Sequence, residues 1–145
     1  MIPNFTHDGI LPEGVHECTL EEFEKRFAST YHRRELFEGI LKLIAHLKQV
    51  KCTALYVDGS YVTNKFLPND FDACWDNRNV DLALVKQKVP VLFDTLPPRK
   101  AQKQIYGGDI FPAFITEQQS KRYFIDFFQI DKRTGQKKGI VKLRI

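Results

Sequence analysis

Near Val50 the hydrophobic period of the chain changes, and that change restricts the fold more than any other feature. From Tyr31 to Gln49 the apolar residues Leu36, Ile40, Leu43, Ile44 and Leu47 recur at helical spacing and define one buried face. Gly39 is a mild weakness within that helix. Thr53 to Val57 is then a compact β-prone run, ended by Asp58-Gly59-Ser60. Thr19-x-x-Glu22 is a capping-box pattern that opens a shorter helix through Phe27. Phe71 to Trp75 reads as the next strand, and a helix from Val80 to about Val89 takes Asn79 as its cap. Val91 to Phe93 is a short buried strand or part of a loop. Pro97-Pro98 opens a basic helical stretch, which Tyr106-Gly107-Gly108-Asp109 breaks. Tyr123 to Ile130 and Gly139 to Ile145 are the last two strands.

Helices come first, and strands with interleaved helices follow, so the class is α+β. The expected architecture is a small mixed β-sheet flanked by helices, with the N-terminal helices packed on it. A chain of 145 residues is the usual size of one domain. The expected division is an extended arm over 1–18, N-terminal helices over 19–50 and a core over 51–145.

The chemistry concentrates in residues 56–72. Nine residues separate Gly59-Ser60 from Asp70-Phe71-Asp72. In a strand, residues two apart share a face, so Asp70 and Asp72 project together. Paired carboxylates repel unless a cation lies between them, and hard oxygen ligands suit Mg²⁺ or Mn²⁺. Gly59 lets a ligand approach the backbone, and Ser60 opens a turn that offers a hydroxyl and amide groups to a phosphate. Asp126 lies in the apolar run Tyr123 to Phe128. Strand alternation puts it on a face with Phe124 and Phe128, where a buried carboxylate needs a metal or a basic partner. Three carboxylates could hold two ions about 4 Å apart.

Each of these features also has a plainer reading. Asp70 and Asp72 after Pro68-Asn69 could be turn residues. Gly59-Ser60 could be an ordinary strand-to-helix turn, and Asp126 could pair with an Arg or Lys. The stretch Arg99, Lys100, Lys103 suits a triphosphate or RNA backbone, and it equally suits a solvated helix face. Within it, Lys103 is the candidate nucleotide contact.

Apolar residues make up 43% and charged residues 28% of the chain, with a net charge of +4. These values are those of an ordinary globular protein that tolerates a polyanionic partner. The three cysteines show no metal-ligand spacing and point away from a disulfide framework. No secretory signal and no bilayer-length apolar run are visible, so the expectation is a cytoplasmic protein without a membrane role.

The Gly-Ser, nine-residue spacer and Asp-apolar-Asp pattern resembles the signature of the nucleotidyltransferase (polymerase-β-like) superfamily. Gly59-Ser60-Tyr61-Val62-Thr63 and Pro68-Asn69-Asp70-Phe71-Asp72 are similar to small bacterial nucleotidyltransferase-like proteins. So are Ala101-Gln102-Lys103, Tyr106-Gly107-Gly108, Asp126-Phe127-Phe128 and Lys138 to Val141. The resemblance implies a nucleotidyltransferase fold. It also implies Asp70, Asp72 and Asp126 as catalytic metal ligands, and Gly59-Ser60 as the phosphate contact. The cosubstrate would be an NTP with Mg²⁺ or Mn²⁺, and the acceptor a hydroxyl on RNA, tRNA or protein. The wider group includes toxins of toxin–antitoxin pairs, so an antitoxin partner is a further expectation. The alternative is a non-catalytic binding or regulatory subunit on the same fold.

Overall fold

A computed structural model describes residues 1–145. One mixed five-stranded sheet runs in the order β1-β5-β2-β3-β4. Its strands are β1 (Gly14–Cys18), β2 (Ala54–Asp58), β3 (Phe71–Trp75), β4 (Gly108–Pro112) and β5 (Gly139–Arg144). The helices are α1 (Leu20–Phe27), α2 (Tyr31–Gln49), α3 (Leu82–Lys88), α4 (Lys100–Tyr106) and the single turn α5 (Phe124–Phe127). The class is α+β. No helix is long and apolar enough to cross a membrane.

The sheet sorts its residues by alternation. Leu55, Val57, Phe71, Ala73, Trp75 and Ile110 point toward α1 and α2 and join the larger core. Ala54, Tyr56, Cys74, Phe111 and Ile140 point the other way, under α5, and form a smaller core with Ile125 and Phe128. Thr19 caps α1 by accepting from the Glu22 amide at 3.1 Å. The anticipated face of α2 is buried, with Phe37 added to it.

Gly39, a mild weakness by helix propensity, is the contact point of α2 with α4. A side chain there would run into the carbonyl of Tyr106. At the same crossing His46 Nδ1 lies 2.6 Å from the Tyr106 hydroxyl. The buried Gln102 amide of α4 serves the free edge of β4, donating to the Ile110 carbonyl and accepting from its amide at 3.0 and 2.9 Å.

Three sequence expectations are corrected. The end of the presumed arm is a true strand, since β1 pairs in parallel with β5 from Gly14↔Gly139 to Cys18↔Leu143. Asn79 is a left-handed turn residue, and Asp81 caps α3 instead, accepting from Ala83 and Leu84 amides. Of the two readings of Val91 to Phe93, the structure has the loop, with Pro90 to Phe93 forming a 3₁₀ turn. Tyr123 to Ile130 is not a strand: its centre is α5, with Phe124, Ile125 and Phe128 turned inward. Residues 124 and 128 share a face under either period, so residue 126 distinguishes them. A period of two turns it inward, and a helical period turns it out.

Candidate functional site

Asp58 ends β2 and stands directly opposite Asp72 in the antiparallel β2–β3 ladder. Asp72 is in turn level with Asp109 in the parallel β3–β4 ladder. Partners in register share a face, so three neighbouring strands each present a carboxylate at the same end of the sheet. That face is the one covered by α5. Asp70 lies just before β3, and its charge is coupled to that of Asp109.

The row is only partly neutralised. Asp109 is paired to Arg99 Nε at 2.9 Å and faces Lys103 Nζ at 3.8 Å. Asp58 is 1% exposed, and neither of its carboxylate oxygens accepts a hydrogen bond of ordinary geometry, the Gly59 amide and the Lys138 ammonium acting on it only weakly. The ammonium of Lys138, 3.4 Å away, is its ion-pair partner, and the charge of Lys132 also acts on it. Burial pushes the Asp58 carboxyl up to about 6, against the pull of Lys138. Burial, followed by the like charges of Asp58, Asp70 and Asp109, pushes Asp72 up to about 7. Burial and then Asp109 raise Asp70 as well.

Gly59 follows Asp58 with φ +80°, a conformation that favours glycine, and any side chain there would collide with the Asp72 carboxylate. The 3₁₀ turn Ser60–Val62 starts immediately after it. Tyr61 anchors that turn: its ring is fully buried near Phe23 and Phe27, and its hydroxyl donates to the Arg33 carbonyl at 2.9 Å. Arg33, itself buried on α2, donates to the carbonyls of Tyr61, Thr63 and Lys65 at 2.6, 2.9 and 2.6 Å. The loop that follows Gly59-Ser60 is therefore held from beneath by a guanidinium fork.

Asp58, Gly59, Ser60 and Asp72 open into a cleft of about 630 Å³. Its walls carry Lys65, Lys132, Arg133 and Lys138, and Phe127 and Phe128 close one side. A floor of carboxylates under a rim of cations suits a ligand that brings both a divalent cation and phosphate groups.

Of the residues picked out by sequence, Gly59, Ser60 and Asp72 share this cleft. Asp70 stands beside it, in the field of Asp72. Lys103 is turned to Asp109 rather than to the cleft. Asp126 is corrected outright as a buried third carboxylate: it is exposed on α5 and lines a separate hollow with Glu13, Arg122, Gln129 and Lys137. Asp58 and Asp109 were missed. Asp109 is the second residue of the strand Gly108 to Pro112, a signal hidden by the glycines Gly107 and Gly108 before it. Asp58 precedes the Gly-Ser pair where an apolar residue is expected.

No three carboxylate, imidazole or thiolate groups converge on one point as a ready-made metal cage. The donors nevertheless fit a hard cation such as Mg²⁺. That ion is commonly held by one or two carboxylates, with waters and substrate phosphates completing its shell. The orphaned oxygens of Asp58 and the carboxylate of Asp72 beside Gly59 are donors of that kind.

This is an α+β protein with an acidic sheet end opening into a cation-rimmed cleft. The chain belongs to DUF6932, a family of unknown function, which it matches over residues 3–144. No curated protein and no solved structure matches it.

Proposed function

We propose that the cleft is a metal-dependent nucleotidyltransferase site on a nucleotidyltransferase fold, moving a nucleoside monophosphate from an NTP to a hydroxyl acceptor. The observation that carries this reading is the register of Asp58, Asp72 and Asp109 across three strands, with Gly59 pressed against Asp72. Asp109, not Asp126, takes the place of the third carboxylate. Gly59 and Ser60 give a phosphate room to approach the backbone, and Lys65, Lys132, Arg133 and Lys138 oppose its charge. Asp58 and Asp72 would hold a divalent cation, whose charge would ease ionisation of the hydroxyl and offset charge on the departing pyrophosphate. The acceptor oxygen bonds to the α-phosphorus as the bond to pyrophosphate breaks. The hydroxyl proton leaves through a carboxylate of the row.

The test is label transfer from α-³²P-NTP, with Mg²⁺ or Mn²⁺ and total cell RNA and protein as acceptors. Asp72→Asn and Asp70→Asn should each reduce transfer at least a hundredfold, about 3 kcal/mol of transition-state stabilisation, while the fold is kept. Full activity in Asp72→Asn would sink the assignment. The labelled species identifies the acceptor as RNA, tRNA or protein.

One observation favours a non-catalytic binding subunit as a second reading: Arg99 and Lys103 already neutralise Asp109. Such a module should bind Mg²⁺-ATP in calorimetry and transfer no label to any acceptor.

A further inference from the structure

We infer that Asp58 is a cation ligand of this cleft, acting with Asp72 across the β2–β3 ladder, and that Lys138 is the counter-charge a divalent cation displaces. The inference rests on the cleft being a metal site, and it adds a carboxylate outside the Asp-x-Asp pair.

Three observations support it. Asp58 is all but fully buried, yet neither of its oxygens accepts a hydrogen bond of ordinary geometry. Buried carboxylates ordinarily collect such bonds, because losing water without replacing it costs several kcal/mol. The Asp58 side chain lines the cleft and lies in register with Asp72, so the orphaned oxygens belong to a shared site. Lys138 forms a long ion pair with Asp58 at 3.4 Å, and its side chain remains 18% exposed. Asp58 and Asp72 have one ammonium at contact distance, that of Lys138 on Asp58, with Lys132 acting from beyond ion-pair reach, and a divalent cation between the two acids meets both charges more fully. Lys138 begins no strand and precedes β5 directly, so it can swing toward the cleft rim without disturbing the sheet.

Titrating the full chain with Mn²⁺ alone, read by electron paramagnetic resonance of the free ion, tests this without any activity assay. Asp58→Asn should weaken Mn²⁺ binding at least tenfold, as should Asp72→Asn. Lys138→Met removes the competing charge and should tighten binding severalfold, a change of sign that general loosening of the cleft cannot produce. Wild-type affinity in Asp58→Asn beside a loss in Asp72→Asn would overturn the role of Asp58 and leave the nucleotidyltransferase reading standing. Unchanged or weaker binding in Lys138→Met would overturn the displacement. Absence of Mn²⁺ binding in the wild type would overturn the inference, and label transfer would then decide the broader reading separately.

Discussion

Asp58 and Asp72 face one another at the end of the sheet, and burial raises both carboxyls, to about 6 and about 7. An unfolded Asp titrates near 4, so the folded chain holds these protons more tightly. Their contribution to stability is therefore complete below pH 4 and is lost as the pH rises through 6 and 7. Asp76 and Asp131 act oppositely. Asp76 is buried, but hydrogen bonds from Arg78 hold it below the usual carboxylate range; the Arg133 amide and guanidinium do the same for Asp131. Their contribution is lost as the pH falls through those lowered values. Without added divalent cation the protein should thus lose stability as the pH rises from 5 to 8, by roughly 4 kcal/mol. Urea unfolding at a series of pH values measures this. Asp72→Asn should flatten the slope and be more stable than wild type at pH 8; a steeper slope in that variant would contradict the account.

At the scale of elements, the crossing of α2 and α4 sets where β4 lies, because α4 leads straight into that strand. Gly39 permits the close approach, and Gln102 of α4 then holds Ile110 of β4 from the side. Gly39→Ala must push the Tyr106 carbonyl away. It should cost about 2–3 kcal/mol in chemical unfolding despite alanine's better helix propensity. A gain in stability would show that the crossing yields freely. Since α4 carries Lys103 and is preceded by Arg99, both beside Asp109, the same variant should weaken Mn²⁺ binding as well.

Across the whole molecule, the two faces of the sheet are covered unequally. The larger core lies between the sheet and α1–α2, whereas the smaller one is closed by α5, through Phe124 stacked on Phe111 at 4.4 Å and Phe128 beside it. One helical turn protects the wall of the cleft that Phe127 and Phe128 supply. Native-state hydrogen exchange should show α5 amides exchanging by local opening, while those of Ile40 to Leu47 exchange only on global unfolding. Equal protection in the two regions would contradict this division.

Much of this was legible in the chain itself. The spacing of Leu36 to Leu47 encodes α2, Thr19 and Glu22 mark the start of α1, and β2 and β3 follow from compact β-prone runs. Gly59, Ser60, Asp70 and Asp72 could be picked out because their chemistry depends on local spacing. Asp109 and Asp58 could not, because their importance comes from ladder register, which joins residues 37 and 14 positions away to Asp72. Asp126 was misplaced because a short apolar run satisfies strand and helix periods alike, and only the docking of Phe124 and Phe128 on Phe111 chooses between them. Sequence alone determined the local elements, since helix faces, caps and turns are written in neighbours a few residues apart. Tertiary structure alone decided which carboxylates meet, because strand order and register are set by burial of the sheet as a whole.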